Sequence, residues 1–281
     1  MTVGKLDRYA VVGNPIAHSR SPDIHRLFAQ STRQSISYER LEGPLDGFEE
    51  FALGLRDAGY LGLNVTIPFK LDASKLADTL TPRARLAGAV NTLKFDGDTI
   101  YGDNTDGIGF VRDITSRLEF TVARAAILVL GAGGGVRGLI ASLLEEKPKW
   151  IAVANRTHGR AQELADEFGV EAIRLDEIPA EHFDLIVNGT SSSLNHDAPA
   201  IDPETFDDCT LAYDLVYASE PTPFMRLAQR GGAHKVTDGL GMLIEQAAES
   251  FLFWRGVRPD TAPVYRELRK ILEQSRTDAA T

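Results

Sequence analysis

The segment spanning residues 126–146 constrains the fold more than any other part of this sequence. Ile127–Leu130 is a fully apolar run, which is typical of a buried parallel strand, and Val136–Glu146 has the apolar spacing of a helix. Five small residues join them: Gly131, Ala132, Gly133, Gly134 and Gly135. A strand, a glycine loop and a helix in this order are typical of the dinucleotide-binding unit of α/β proteins.

The composition of the loop suits a pyrophosphate. Residues without large side chains let the backbone approach the phosphates, and the start of the helix offers free N–H groups and the positive end of its dipole. The third glycine of the G-x-G-x-x-G pattern is replaced by Val136, so we expect the packing of helix on strand to differ there. The alternative is a tight turn without a ligand, although so many glycines in one turn are costly to order.

The next predicted strand indicates which dinucleotide binds. Trp150–Ala154 is followed by Asn155, Arg156 and Thr157, with Arg160 one turn later, and no acidic residue stands at the tip. A site for NAD commonly places Asp or Glu there to accept a hydrogen bond from the ribose hydroxyl. Guanidinium groups pair with phosphate instead. We therefore interpret Arg156, Thr157 and Arg160 as a clamp for the 2′-phosphate of NADP, with Asn155 on the ribose; solvated surface arginines are the alternative.

Short apolar runs alternate with amphipathic segments along the whole chain, which predicts an α/β protein. The predicted strands are Tyr9–Gly13, Tyr38–Leu41, Gly62–Ile67, Asn91–Phe95, Thr99–Gly102, Ile127–Leu130, Trp150–Ala154, one near Ala172, Leu185–Asn188, Leu211–Leu215 and Lys235–Thr237. The predicted helices are Ser21–Gln30, Leu45–Ala58, Leu71–Leu76, Asp106–Leu118, Val136–Glu146, Thr157–Phe168, Leu240–Trp254 and Ala262–Glu273, and we expect Ser21 to cap the first of them. A length of 281 residues is sufficient for two domains.

Charge and composition exclude several classes of protein. A net charge of −10 argues against a general surface for nucleic acid or anionic membrane. The single cysteine, Cys209, permits no intramolecular disulfide or cysteine metal cluster, and we expect it to be a buried small hydrophobe. No metal site is predicted. The start of the chain lacks the layout of a secretory signal, and no apolar stretch approaches the ~20 residues of a membrane span. We therefore expect a soluble, cytoplasmic protein.

Three polar segments follow predicted strands in the first half of the chain. They are Asn14–Pro22, Asn64–Lys70 and the pair formed by Gly88–Thr92 and Gly102–Gly107. Strand alternation places Asn64 and Thr66 on one face of the sheet. Because ligands of α/β sheets gather beyond the carboxyl ends of strands, we expect these polar side chains to converge there.

These segments carry a resemblance to a known family. Six motifs stand in family order: Gly-Asn-Pro-Ile-Ala-His-Ser-x-Ser-Pro, Asn-Val-Thr-x-Pro-Phe-Lys, Gly-Ala-Val-Asn-Thr, Gly-Asp-Asn-Thr-Asp-Gly, Asn-Arg-Thr and Asp-Gly-Leu-Gly-Met-Leu. Along nearly its whole length the sequence resembles the shikimate dehydrogenase family. The resemblance implies a substrate-binding domain made of residues 1–106 and 240–281, in which C-terminal helices return to the N-terminal part, and a Rossmann-like NADP domain made of residues 107–239.

The resemblance also assigns roles to individual residues. It implies that Ser19 and Ser21 bind the carboxylate of the substrate. The ring hydroxyls would be held by Asn64, Thr66, Asn91, Asp106 and Gln246, with Tyr217 nearby. Thr190, Leu215 and Gly239 would line the nicotinamide side. From the residues alone, Ser21 could be only a helix cap, Asn91 only a turn residue and Gln246 only part of a polar helix face. We interpret His18 as a residue that orders its loop.

The activity that the resemblance implies is the reversible NADPH-dependent reduction of 3-dehydroshikimate to shikimate, an oxidoreductase step in chorismate and aromatic amino-acid biosynthesis. Reduction of a ketone develops negative charge on oxygen, which a nearby ammonium group can stabilise and then neutralise. The family assigns this role to Lys70, with Asp106 beside it. The sequence leaves open whether Lys70 alone or the Lys70–Asp106 pair carries the proton.

Other functions remain compatible with the sequence. A quinate/shikimate dehydrogenase with broader cofactor use would tend to have an acidic residue near Asn155 and an altered serine pair, neither of which is present here. A relative that acts on aminoshikimate-type substrates is a further alternative, as is a paralogue that binds shikimate or nucleotide without catalysis. The expected partner is a small-molecule substrate, with no nucleic acid or membrane, and either a monomer or a homodimer is compatible with the sequence.

Overall fold

The structure, a computed structural model, describes residues 6–179 and 182–279. The chain divides into two compact units. The first runs to Gly109 and includes Ile244–Val264, and the second comprises Phe110–Leu243 and continues from Tyr265. This boundary differs from the predicted one, since Leu240–Leu243 and the residues from Tyr265 onward belong to the second unit. Arg269 explains part of the difference, because its guanidinium bonds the buried Asp238 in that unit.

The first unit is built on a six-stranded mixed sheet with the strand order β2-β1-β3-β5-β6-β4. Its strands are β1 (Asp7–Gly13), β2 (Ile36–Glu42), β3 (Tyr60–Val65), β4 (Thr79–Leu80), β5 (Thr92–Asp96) and β6 (Thr99–Asp103). Its helices are α1 (Ser21–Thr32), α2 (Phe48–Asp57), α3 (Lys70–Leu76) and α4 (Pro82–Ala87). Strands β1, β2 and β3 are mutually parallel, whereas β5 runs antiparallel to both of its neighbours.

The second unit contains a fully parallel sheet with the order β12-β11-β10-β7-β8-β9. Its strands are β7 (Ala126–Leu130), β8 (Trp150–Asn155), β9 (Glu171–Arg174), β10 (Leu185–Asn188), β11 (Leu211–Asp214) and β12 (Lys235–Thr237). Helices α6 (Gly134–Glu145), α7 (His158–Phe168) and α8 (Pro223–Arg230) lie within it. The chain passes between the units within α5 (Asp106–Arg112), α9 (Leu240–Arg255) and α10 (Ala262–Ala279).

Apolar side chains cover both faces of the parallel sheet, which is why its strands are continuous hydrophobic runs in the sequence. Alternate residues of β7 belong to different cores. Ile127 and Val129 pack in one cluster with Leu139 of α6, whereas Leu128 and Leu130 pack in another with Phe224 of α8. The first unit has its own apolar cluster, with side chains of β1, β3 and β5 at its centre. The predicted α/β class is confirmed.

Several local predictions need correction. Ser21 is not the cap of α1, because the cap position is Arg20 and Ser21 is already helical. The predicted helix from Asp106 to Leu118 is α-helical only to Arg112, and a π-helical turn, Asp113–Arg117, follows it. Asp113 is fully buried in that turn and accepts hydrogen bonds from Arg117 and Tyr213. The short strand β4 and helices α4 and α8 were not predicted.

The structure bears on the expectations about Cys209 and about membrane-spanning segments. Cys209 is completely buried, as expected of a small hydrophobe, and burial raises the pKa of its thiol to about 12. None of the helices in the described part of the chain combines the length and apolar character needed to cross a membrane.

Candidate active site

Lys70 and Asp106 form a direct ion pair in the first unit. Lys70 is the first residue of α3, which follows β3, and Asp106 is the first residue of α5, which follows β6. Lys70 Nζ donates to Asp106 Oδ2 over 2.6 Å. The Lys70 side chain is 26% exposed and that of Asp106 12%. The pair is therefore sheltered on the protein side and still accessible to a ligand.

Asn91 fixes the second oxygen of the Asp106 carboxylate. Its Nδ2 donates to Asp106 Oδ1 over 2.8 Å and also lies 2.9 Å from Thr105 Oγ1. Its Oδ1 accepts from the backbone N–H of Thr105 over 2.9 Å. Since both ends of the amide are engaged, Asn91 can adopt only one orientation. The two carboxylate oxygens of Asp106 are thereby held by different partners.

Gln246, on α9, reaches the same group of side chains. Its Oε1 lies 3.4 Å from Asn91 Nδ2 and 3.4 Å from Thr105 Oγ1. Helices α5 and α9 approach each other closely here because Gly109 has no side chain. A Cβ atom on Gly109 would lie 2.6 Å from the backbone nitrogen of Gln246. The glycine therefore allows Gln246 to reach Asn91.

Asn64, the fifth residue of β3, has both ends of its amide engaged in the interior. Its Oδ1 accepts from the Tyr38 hydroxyl over 2.7 Å. Its Nδ2 lies within hydrogen-bond distance of the Asn91 carbonyl, Thr92 Oγ1 and, at 2.9 Å, Ser250 Oγ. Asn64 thus connects β2, β3, β5 and α9, and its predicted contact with a ring hydroxyl stays a prediction.

The two serines of the first motif lie together at the start of α1. Their Oγ atoms are 3.2 Å apart, and Ser19 Oγ also accepts from the backbone N–H of Ser21. Arg40 Nε donates to the Ser19 carbonyl over 2.7 Å and so anchors the loop from outside. Burial raises the pKa of Tyr38 well above its usual value, and a hydrogen bond with Ser21 opposes this effect. Tyr38 therefore connects the serine pair to Asn64.

Thr66 and His18 complete the predicted residues of this unit. Thr66 packs against Gly13, where a Cβ atom would lie 2.4 Å from its methyl group, and its side chain is half-buried. His18 is exposed in the loop between β1 and α1. The structure thus joins Ser19, Ser21, Asn64, Asn91, Asp106, Lys70 and Gln246 through a continuous set of hydrogen bonds, with Thr66 two residues beyond Asn64.

In the second unit, the glycine loop leads from β7 into α6. Gly131 has a φ angle of +103°, and a Cβ atom there would lie 3.0 Å from the backbone of Gly189, so only glycine fits without strain. Gly133, Gly134 and Gly135 have open space where a side chain would project. Helix α6 begins at Gly134 without a side-chain cap. Its first N–H groups are therefore available to an anion.

Val136 shows how the fold accommodates the missing third glycine. Its side chain is buried, and a Cβ atom on Gly189 would lie 2.5 Å from its methyl group. The small residue at this contact is thus Gly189, directly after β10, and it leaves room for the Val136 side chain between α6 and the sheet.

The tip of β8 exposes the predicted phosphate clamp. Arg156, Thr157 and Arg160 are all exposed, and α7 begins directly after Thr157. Asn155 Nδ2 donates to the Thr157 carbonyl over 2.9 Å, which closes the turn. Two guanidinium groups within one turn of chain thus face solvent where β8 ends.

The remaining predicted residues follow β10, β11 and β12 in the second unit. Thr190 Oγ1 donates to Asn188 Oδ1 over 2.7 Å. The Leu215 N–H bonds the Asn188 carbonyl, and a Cβ atom on Gly239 would lie 2.2 Å from the Leu215 carbonyl oxygen. Tyr217 is half-buried two residues after Leu215. The carboxyl edge of the sheet therefore gathers Thr190, Leu215 and Gly239 close to Gly131.

These features fit NADP. The loop leaves a cradle that side chains at Gly133, Gly134 and Gly135 would fill, and the uncapped start of α6 suits a pyrophosphate. Arginine side chains, not carboxylates, stand at the tip of β8. The two guanidinium groups match a phosphate on the ribose, and the carboxylate that would accept from a free 2′-hydroxyl in an NAD site is not among Asn155, Arg156, Thr157 and Arg160.

Sequence reasoning missed several residues that support the site. Tyr38, Thr105 and Ser250 bond predicted residues, and none was singled out. Ser250 had a detectable signal, since it lies four residues after Gln246 on α9 and so shares its face. Tyr38 lies in an edge strand whose residues are mostly half-buried or exposed, and its inward hydroxyl had no such signal.

Comparison with known proteins gives consistent results. Three family models match: "Shikimate dehydrogenase substrate binding domain" over residues 11–93, "Shikimate / quinate 5-dehydrogenase" over 114–205 and "Shikimate 5'-dehydrogenase C-terminal domain" over 239–269. The shikimate dehydrogenase (NADP(+)) of Herminiimonas arsenicoxydans is 53% identical over 94% of this chain and 97% of its own length.

Solved structures agree with this match. An Ael1 enzyme from Pseudomonas putida has 45% identity and a TM-score of 0.90, over 93% of this chain and 98% of its own. Shikimate 5-dehydrogenase from Thermus thermophilus, in complex with NADP(H) and shikimate, has 35% identity and a TM-score of 0.87, over 94% of this chain and 99% of its own.

Proposed function

Because the chain belongs to the shikimate dehydrogenase family, we propose that Lys70 and Asp106 are the residues with which it interconverts 3-dehydroshikimate and shikimate. The protein is an NADP-dependent oxidoreductase of the shikimate pathway. The contact that carries the proposal is the 2.6 Å bond between Lys70 Nζ and Asp106 Oδ2. It places a proton donor and an orienting carboxylate together among the polar groups that the family motifs supply.

Lys70 has the chemistry for the proton step. When bound, NADPH supplies the hydride that reduces the carbonyl carbon. The ammonium group has three N–H donors, and Asp106 engages one of them, which leaves two for the substrate oxygen. Lys70 stabilises the negative charge that develops on this oxygen and then transfers a proton to it. In the reverse direction, neutral Lys70 accepts the hydroxyl proton of shikimate.

Asp106 orients Lys70 in this proposal. Its carboxylate accepts from Lys70 Nζ on one oxygen and from Asn91 Nδ2 on the other, so the ammonium group is held in one place before substrate binds. Such preorganisation lowers the barrier because no group has to reorient during the reaction. Asn91 and Gln246 are then available to bond ring hydroxyls beside the reacting oxygen.

The carboxylate of the substrate is proposed to bind Ser19 and Ser21. Their hydroxyls are 3.2 Å apart, which suits the two oxygens of one carboxylate. Arg40 lies behind Ser19 and adds positive charge close to this position. Thr66 directly follows β3 and lies two residues after Asn64. It is proposed to bond a ring hydroxyl, with Tyr217 nearby.

The cofactor is proposed to bind the carboxyl edge of the parallel sheet. Gly131, Ala132, Gly133, Gly134 and Gly135 would hold the pyrophosphate, as supported by the open space over the loop and the uncapped α6. Asn155, Arg156, Thr157 and Arg160 would hold the adenosine ribose and its 2′-phosphate. Thr190, Leu215 and Gly239 would contact the nicotinamide side. Residues 1–106 and 240–281 are therefore proposed to bind the substrate, and residues 107–239 to bind NADP.

Replacement of Lys70 tests the proposed chemistry. Lys70→Ala should lower kcat by roughly 10²–10⁴ while NADP⁺ affinity stays nearly unchanged, because the variant loses the group that meets the developing charge. Steady-state kinetics gives kcat, and titration of cofactor fluorescence gives the affinity. The matched control is Lys75→Ala, on the same helix, whose side chain is 79% exposed.

The comparison with Asp106→Asn separates the two ways in which the proton could be handled. If Asp106 only orients Lys70, this variant should retain more activity than Lys70→Ala. Equal losses would mean that the pair shares the proton. Near-normal turnover by Lys70→Ala would overturn the proposal.

A further inference from the structure

A second ion pair, between Arg83 and the buried carboxylate of Asp103, lies three residues before Asp106 in the chain. Asp103 is the last residue of β6, its side chain is 1% exposed, and the Arg83 guanidinium engages both of its oxygens. Arg83 Nε donates over 2.8 Å, and Thr81 Oγ1 donates to the same oxygen over 2.6 Å. A buried carboxylate with this many charge-assisted and neutral donors is held in a single orientation.

Further hydrogen bonds connect Asp103 to Asp106. Asp103 Oδ1 accepts from the backbone N–H of Asn104 over 2.8 Å. The Asn104 side chain accepts from the N–H of Asp106 over 3.1 Å, and its Nδ2 donates to the Ala89 carbonyl over 3.0 Å. The segment from Asp103 to Asp106 is therefore fixed at each residue, and α5 begins from it.

We propose that Arg83 is a positioning residue for the reaction, which acts through Asp103 and Asn104 to aim the Asp106 carboxylate at Lys70. This inference rests on the proposed function, since it presupposes that Lys70 meets the reacting oxygen. Arg83 holds the Asp103 carboxylate, and that carboxylate and the Asn104 side chain hold the backbone that leads to Asp106.

Loss of the Arg83 guanidinium should affect both the rate of reduction and its pH profile. Without the fork from Arg83, Asp103 keeps only one side-chain donor from Thr81, and the loop from Asp103 to Asp106 gains freedom. Asp106 then spends less time against Lys70, which leaves the ammonium group less well placed and less stabilised by an opposite charge. Reduction should therefore slow, and the alkaline limit of its pH profile should lie at a lower pH.

The test measures kcat for 3-dehydroshikimate reduction by Arg83→Gln as a function of pH. We expect kcat to fall about tenfold, the alkaline limb of its pH profile to move to lower pH, and KM for NADPH to stay within about twofold. The control is Arg255→Gln, which breaks an ion pair with Asp7 at the start of β1 in the same unit and should leave both kcat and the pH profile unchanged.

A conservative variant covers the case in which Arg83→Gln does not fold. Arg83→Lys keeps the positive charge beside Asp103 but loses the two-pronged contact, so it should show the same shift of the alkaline limb with a smaller loss of kcat. A folded Arg83→Gln or Arg83→Lys with the wild-type pH profile would overturn the inference. So would an equal change in Arg255→Gln.

The activity of Lys70→Ala distinguishes a failure of the positioning role of Arg83 from a failure of the proposed function. An inactive Lys70→Ala together with a normal Arg83→Gln would overturn only the positioning role of Arg83. An active Lys70→Ala would overturn the proposed function, and with it the reason for any effect of Arg83 on the pH profile.

Discussion

Around Asp106, in the first unit, the polar groups are buried and bonded to one another; at the glycine loop and the tip of β8, in the second unit, they face solvent. Asn64, Asn91 and Asp106 are all buried residues, whereas Arg156 and Arg160 are exposed. The first region consists of side chains fixed before a ligand arrives. The second consists of backbone N–H groups and long flexible cations.

This difference corresponds to the two proposed tasks, which are proton transfer by Lys70 in the first unit and cofactor binding in the second. Proton transfer depends on the position of one nitrogen to within a fraction of an ångström, so its surroundings are rigid and fully bonded. A pyrophosphate and a ribose phosphate are large, doubly charged groups, and exposed donors on a glycine loop bind them without comparable precision. We therefore expect changes in the first region to affect stability and kcat, and changes in the second to affect cofactor affinity.

Of the three variants considered next, the one that removes a buried hydroxyl should have the largest effect on free energy. Tyr38→Phe leaves Asn64 Oδ1 without its donor in the interior, which should lower the free energy of unfolding by about 2 kcal/mol. Urea denaturation measures it. Tyr101→Phe, at a half-exposed tyrosine of β6, is the control and should change stability by less than about 0.5 kcal/mol. Equal stability of the two variants would contradict the description of the first region as preorganised.

Arg156→Ala tests the exposed region. It should weaken NADPH binding about tenfold, the cost of roughly one charge-assisted bond, and weaken NADH binding much less because NADH lacks the 2′-phosphate. The difference should shrink at high salt, since exposed charges are screened. Fluorescence titration measures both affinities, and Arg230→Ala, at the exposed end of α8, is the control. Equal losses for NADPH and NADH would mean that the phosphate clamp is wrong.

His25 gives the smallest effect and probes the buried region by pH. It is completely buried in α1 and stacks on Tyr38 with ring centroids 4.1 Å apart. Burial lowers the pKa of its imidazole to about 3. Unfolded histidine titrates near pH 6.5, so the unfolded state binds more protons between about pH 6.5 and 3, and stability falls as pH drops through this window.

The corresponding variant is His25→Phe. It should reduce the loss of unfolding free energy between pH 7 and pH 5.5 by about 1 kcal/mol relative to wild type, whatever its effect at pH 7. Urea denaturation at the two pH values measures this difference. An unaltered slope in His25→Phe would mean that His25 takes up its proton as readily in the folded protein as in the unfolded chain, which would contradict the lowered pKa.

The two regions also differ in how far the sequence predicted them. The glycine loop and the arginine tip are local, within 30 residues of each other, and their residue types are uncommon enough to indicate a cofactor from the sequence alone. The pairing of Lys70 with Asp106, 36 residues apart, was proposed from the family resemblance and not from spacing.

The supporting bonds of the first region could not be predicted in the same way. Asn64 and Ser250 are 186 residues apart, and Asn91 and Gln246 are 155 apart, so their contacts depend on the folding of α9 against the sheet. Arg83 lies on α4, a six-residue helix that the apolar spacing did not reveal. Polar residues of this kind resemble surface residues until a partner from a distant element covers them.

The most direct test of the central claim is the absorbance of reduced nicotinamide when purified protein is mixed with shikimate or quinate, each with NADP⁺ and with NAD⁺. We expect rapid reduction only with shikimate and NADP⁺. Comparable activity with quinate or with NAD⁺ would contradict the assigned specificity, and absence of reduction in all four mixtures would contradict the proposed chemistry of Lys70 and Asp106.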